Sequence, residues 1–102
     1  MLLIDTDPGL DDAYALAMAF GTVPHDELIV TTVAGNAGIG TVTRNACRLT
    51  GTLAPSVPVH RGAPGPLLGP AHEALHIHGE DGLGGFSWPA EADRSATVSP
   101  VP

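Results

Sequence analysis

Leu2-Leu3-Ile4-Asp5-Thr6-Asp7-Pro8-Gly9-Leu10-Asp11-Asp12-Ala13 is the stretch on which the reading of the whole chain turns. Three consecutive apolar residues ended by a polar Pro-Gly turn predict a strand buried on both faces. From Asp11 the period changes: Ala13, Leu16, Ala17 and Phe20 recur at helical spacing, two acids open the first turn, and Gly21 with Pro24 closes the segment. Residues 28–34 are rich in β-branched side chains and stop at Gly35-Asn36, the pattern of a second buried strand. Thr41 offers an N-cap for a second helix carrying Val42, Ala46, Leu49 and Leu53 on one face, with Gly51 fraying its end. Residues 57–60 then form a brief third strand.

Strand, helix, strand, helix, strand implies an α/β fold with a parallel sheet and right-handed crossovers. Residues 1–62 are expected to form this βαβαβ unit and residues 63–102 a Pro/Gly-rich loop segment, together one partial domain. Eight of the ten prolines lie from residue 55 onward. A structureless stretch of roughly 40 residues is uncommon inside a compact domain, so it reads as a functional loop system, a tail, or a segment that packs against further sequence. In parallel sheets ligands bind beyond the carboxyl ends of the strands, which is where Asp7 and Asn36 fall.

Composition narrows the function classes. A chain of 102 residues fits one domain, and 43% hydrophobic residues supply its core. With 15% charged and 4% aromatic residues it is neither a disordered acidic tail nor a stacking platform for single strands. Four basic against eleven acidic residues give a net charge of −7, and Arg44, Arg48, Arg61 and Arg94 are scattered, which argues against nucleic acid as a partner. No apolar run approaches the roughly 18–20 residues of a membrane span, and no basic segment opens a signal peptide. Cys47 is the lone cysteine and sits mid-helix beside Ala46, so it reads as a buried inert thiol. These features together lead to the expectation of a cytoplasmic protein.

Asp5, Asp7, Asp11 and Asp12 fall within eight residues. A helix N-terminus offsets only about 0.3–1 kcal/mol per charge, so a hard cation with oxygen ligands, calcium or magnesium, is the natural compensation. Asp11 and Asp12 lie about 100° apart around a helix, so one can hold a metal while the other holds a hydroxyl. Two acids in a first turn are by themselves ordinary capping. Asp7 changes that reading, because a carboxylate at a strand terminus aimed at the same helix start has no structural need to be there. Asp5 is expected to orient the turn through hydrogen bonds behind these groups.

The stretch Asp5-Thr6-Asp7-Pro8-Gly9-Leu10-Asp11-Asp12-Ala13 resembles the N-terminal signature of the inosine/uridine-type nucleoside N-ribohydrolases. The resemblance continues through Thr32-Val33-Ala34-Gly35-Asn36, Thr43-Arg44-Asn45-Ala46 and His76-Ile77-His78-Gly79-Glu80-Asp81-Gly82-Leu83-Gly84, covering nearly all of residues 2–89. It implies the N-terminal portion of a Rossmann-like nucleoside hydrolase fold, and calcium-dependent hydrolysis of ribonucleosides to free base and ribose. Under it, Asp7 is calcium ligand and general base, Asp12 a calcium ligand, and Asp11 the acceptor of a ribose hydroxyl. Asn36 contacts ribose and steadies the attacking water, and His78 lines the base pocket. For the full-length form the resemblance implies a homo-oligomer. The resemblance also implies that a further aspartate ligand, a backbone carbonyl ligand, the 5′-hydroxyl contacts and a histidine near the leaving base have no counterpart here. Since calcium affinity follows ligand charge and count, the 102-residue chain alone is expected to be inactive or nearly so.

Other readings fit less well. Asp5-Thr6-Asp7 also resembles the opening of a haloacid-dehalogenase-type phosphotransferase, but Gly9 stands where that pattern wants Thr or Val, and Asp11 and Asp12 have no use in it. An EF-hand needs an oxygen ligand where Gly9 stands and a preceding helix. His72, His76 and His78 with Glu80 and Asp81 could form a zinc site, yet the surrounding glycines favour an active-site flap or a plain loop. A non-catalytic remnant that keeps the metal loop stays open beside the enzyme.

Overall fold

Alternation along the central strand shows which side of the sheet is covered. In β2 (Leu28–Thr32) the side chains of Leu28, Val30 and Thr32 are buried, while Ile29 and Thr31 are half-buried. The computed structural model describes residues 1–65 and Leu68. Around β2 stand β1 (Leu2–Thr6), α1 (Leu10–Thr22), α2 (Ile39–Leu53) and β3 (Val59–Arg61), with one 3-10 turn at His25–Glu27. The sheet order is β1-β2-β3 and both pairings are parallel, as the alternation of elements predicts. Right-handed crossovers in this order put both helices on one face. Accordingly Leu16 and Phe20 of α1 share one core with Ala46, Cys47 and Leu49 of α2, Leu28 and Val30 of β2, and Ala54, Val57 and Val59. Cys47 is buried, as expected.

The first strand departs from expectation. Leu2 is 44% and Leu3 56% exposed, and only Ile4 packs against the core. The apolar run is therefore not buried on both faces, because among the described residues β1 is an edge strand and the helices cover a single face of the sheet. β2 stops at Thr32, two residues short of Ala34, since its partner β1 ends at Thr6, the residue paired with Thr32. Val33 N–H donates the last bond to Thr6 O at 3.0 Å.

The helices also shift. α1 begins at Leu10 with Gly9 as an extended N-cap, and runs through Gly21 to Thr22. Its end is held by His25, whose Nε2–H donates to Phe20 O at 2.8 Å while the imidazole meets the Phe20 ring edge-on. α2 starts at Ile39 with Gly38 as its N-cap, three residues ahead of the expected Thr41 cap, and no side chain caps it. Ile39 and Val42 bury against Ala37 and Ala34, so apolar packing under the loop sets this start. Gly51 lies inside α2, which continues to Leu53. A turn closed by Val57 N–H donating to Ala54 O at 3.0 Å delays β3 to Val59. The expected loop character of residues 63–102 falls almost wholly outside the described residues.

Candidate functional site

Because Thr6 and Thr32 are partners in a parallel ladder, the segments leaving β1 and β2 emerge side by side. The first carries Asp7-Pro8-Gly9 into α1, and the second carries residues 33–38 into α2. Asp7 and Asn36 meet between them. Asn36 N–H donates to Asp7 Oδ2 at 2.9 Å, and Asn36 Nδ2 donates to Asp7 O at 2.8 Å. Gly35 makes this approach possible: a Cβ there would collide with Asp7 Oδ2 and stand 3.0 Å from Asp7 Cγ.

Asp12 enters from the first turn of α1. Thr6 Oγ1, at the buried end of β1, donates to Asp12 Oδ2 at 2.9 Å. Burial pushes the Asp12 carboxyl above its ordinary value of 3.8, the Asp7 carboxyl beside it and the charges of Asp7 and Asp11 push the same way, and the Thr6 hydroxyl pulls it back. Asp7 and Asp12 are thus brought together as a pair. Asp11 sits exposed on the same turn.

Asp5 is placed elsewhere. Side chains alternate along a strand, so Asp5 points away from the face that Thr6 occupies, and its Oδ1 accepts from Thr31 Oγ1 at 2.7 Å across the β1–β2 register. Its hydrogen bond therefore braces the two strands and not the turn between Asp7 and Asp12. Asn45 does act on that turn: buried on α2, it donates from Nδ2 to Pro8 O at 3.4 Å. His78, and the alternative zinc set His72, His76, Glu80 and Asp81, lie outside the described residues.

Five positions escape a sequence reading. Thr6 and Gly35 are contact residues whose roles appear only once β1 and β2 are paired. Beneath them, Thr32 Oγ1 and Thr43 Oγ1 lie 2.7 Å apart in the buried interior, and Gly62 N–H donates to Thr32 Oγ1 at 3.4 Å. A Cβ on Gly62 would collide with the Thr32 carbonyl oxygen. The available signal was a threonine at an inward-facing strand position where packing alone would favour valine.

Among the described residues no three His, Cys, Asp or Glu side chains converge as a metal-holding group. The Asp7–Asp12 pair fits a hard divalent cation in kind, since both donors are carboxylate oxygens and a cation relieves two like charges held together. In number it supplies only part of such a shell.

The family model described as inosine-uridine preferring nucleoside hydrolase matches residues 2–101. The chain belongs to this nucleoside hydrolase family. It is 42% identical over 87 residues to the non-specific ribonucleoside hydrolase RihC of Salmonella agona (strain SL483), which covers 85% of this chain and 28% of that protein. Among solved nucleoside hydrolases, the purine-preferring ribonucleoside hydrolase from Gardnerella vaginalis superposes with a TM-score of 0.81 at 28% identity, over 97% of this chain and 33% of that one. The plant nucleoside hydrolase PpNRh1 superposes with a TM-score of 0.79 at 36% identity, over 96% and 31%. The Rossmann-like α/β fold implied by the acidic motif is the fold of these neighbours. The chain spans 28% of the length of the curated RihC relative, so it is similar to one segment of a nucleoside hydrolase.

Proposed function

We propose that this chain carries the water-activating and ribose-binding part of a calcium-dependent nucleoside hydrolase, which cleaves the N-glycosidic bond of a ribonucleoside to free base and ribose. The observation that carries this reading is the Asp7–Asp12 pair at the carboxyl end of β1, with Asp7 gripped by Asn36. Membership of the nucleoside hydrolase family supports it.

Glycosyl hydrolysis passes through an oxocarbenium-like transition state, so a positioned base and well-placed hydroxyl acceptors are what the protein must supply. Asp7 Oδ2 is engaged by Asn36 N–H, which leaves Oδ1 to take the proton of the attacking water. Asp11, exposed on the first turn of α1, accepts a ribose hydroxyl. Asn36 spends one Nδ2 hydrogen on Asp7 O and keeps its remaining hydrogen and its Oδ1 for ribose and water. Asp7 and Asp12 would hold calcium, which when bound orients water and the ribose diol and eases removal of the water proton. Asp5 is a strand brace behind these groups, and His78 is assigned to the base pocket.

Calcium takes six to eight oxygen ligands, and the described residues gather two carboxylates. Hydrolysis by the 102-residue chain alone is therefore absent or nearly so, and the complete enzyme works as a homo-oligomer on small ribonucleosides, with no part for nucleic acid or membrane. Cys47, the one cysteine of the sequence and a buried thiol, suits a reducing compartment such as the cytoplasm.

The test is a chimera in which this chain replaces the matching segment of a RihC hydrolase. Release of free base from inosine and uridine should require calcium, vanish with a chelator, and vanish in Asp7→Ala. Equal rates in the folded chimera with and without Asp7 would contradict the assignment.

A further inference from the structure

Thr6 and Asp12 belong to different elements, and nothing in the local sequence pattern requires them to meet. Thr6 is the last residue of β1, 5% exposed, and its backbone is fixed by the ladder to Thr32 and by Val33 N–H on its carbonyl. A β-branched residue held this way has few χ1 choices, so its hydroxyl points in a set direction. The hydroxyl is spent on Asp12 Oδ2 at 2.9 Å. Asp12 needs such a hold. An aspartate in the first turn of a helix can occupy several staggered χ1 wells, and the like charges of Asp7 and Asp11 favour those that carry its carboxylate away from them.

We propose that Thr6 is a positioning residue whose hydroxyl holds the Asp12 side chain in the single rotamer that sets its carboxylate beside Asp7. Asp7 is set by a separate device, the Asn36 clamp from the β2–α2 loop, so the two carboxylates are aimed independently. The consequence for cation binding rests on the reading of Asp12 as a ligand; the rotamer itself does not.

The experiment uses the 102-residue chain, isotope-labelled and metal-free, as wild type, Thr6→Val and Thr6→Ser. Three-bond couplings from the side-chain carboxyl carbon to the backbone nitrogen and carbonyl report χ1 for Asp12 and Asp7. Wild type and Thr6→Ser should show one Asp12 rotamer, Thr6→Val should show averaged couplings, and Asp7 should stay fixed in all three. A single Asp12 rotamer in folded Thr6→Val overturns the proposal. Averaged couplings in wild type overturn it as well, whether or not the valine variant folds. Rescue by serine separates the hydroxyl from the methyl packing that a purely structural threonine would supply. Failure to bind calcium in a chain whose Asp12 is fixed would defeat the proposed function and leave the positioning role standing.

Discussion

Asn36 holds Asp7 at two points, its backbone N–H on the carboxylate oxygen Oδ2 at 2.9 Å and its side-chain amide on the main-chain carbonyl at 2.8 Å. The carboxylate and the peptide that carries it are thereby fixed from the neighbouring strand end. Asn36→Ala keeps the first bond and loses the second. A hydrogen bond of this type contributes about 0.5–1.5 kcal/mol, so urea unfolding should show a loss in that range together with weaker calcium binding. Unchanged stability and unchanged binding would show that the amide bond is incidental.

Gly35 is the close-approach point of the same clamp. Gly35→Ala drives a Cβ into the Asp7 carboxylate, and relief requires Asp7 or the loop to move. Overpacking of this kind costs about 1–3 kcal/mol. The expected result is a lower urea midpoint and an altered Asn36 amide chemical shift, because the Asn36 N–H then loses its acceptor.

The pH dependence follows from Asp12. Its carboxyl is raised above 3.8 by burial first and by Asp7 and Asp11 next, so the folded chain binds that proton more tightly than the unfolded chain does. The stability it contributes is fully present below 3.8 and is lost as pH rises through the raised folded value. Asp12→Asn keeps an oxygen for the Thr6 hydroxyl and removes the charge. In chelator, its thermal midpoint should exceed that of wild type at neutral pH, with the gap closing as pH falls below 3.8. A wild type as stable as the variant at neutral pH would contradict the like-charge account.

Edge strand β1 presents Leu3 at 56% exposure and Leu2 at 44%. Exposed apolar edges template pairing with another chain, and a charged residue blunts them. Leu3→Lys should therefore raise the monomer fraction of the isolated chain in sedimentation velocity without lowering its helical circular dichroism.

The element order, the parallel sheet and the meeting of Asp7 with Asn36 were legible because periodicity changes sharply at Asp11 and because strand carboxyl ends gather in a parallel sheet. The burial of Leu2 and Leu3 was not legible, since an apolar triplet looks the same in a central strand and at an edge; sheet order alone separates them. The start of α2 was misread for a related reason. Thr41 has capping chemistry, but Ile39 and Val42 bury against Ala34 and Ala37 and draw the helix back to Gly38. Thr6, Gly35, Thr43 and Gly62 carry no local signal of their contacts, which depend on residues from 6 to 30 positions away.

The measurement that bears most directly on the account is a calcium titration by calorimetry on the purified 102-residue chain, with Asp7→Ala as control and ribose present in a second series. The account predicts weak binding heat that disappears in Asp7→Ala and increases with ribose. A folded chain that gives no heat, or gives the same heat without the Asp7 carboxylate, would contradict the claim that Asp7 and Asp12 are a cation-binding pair.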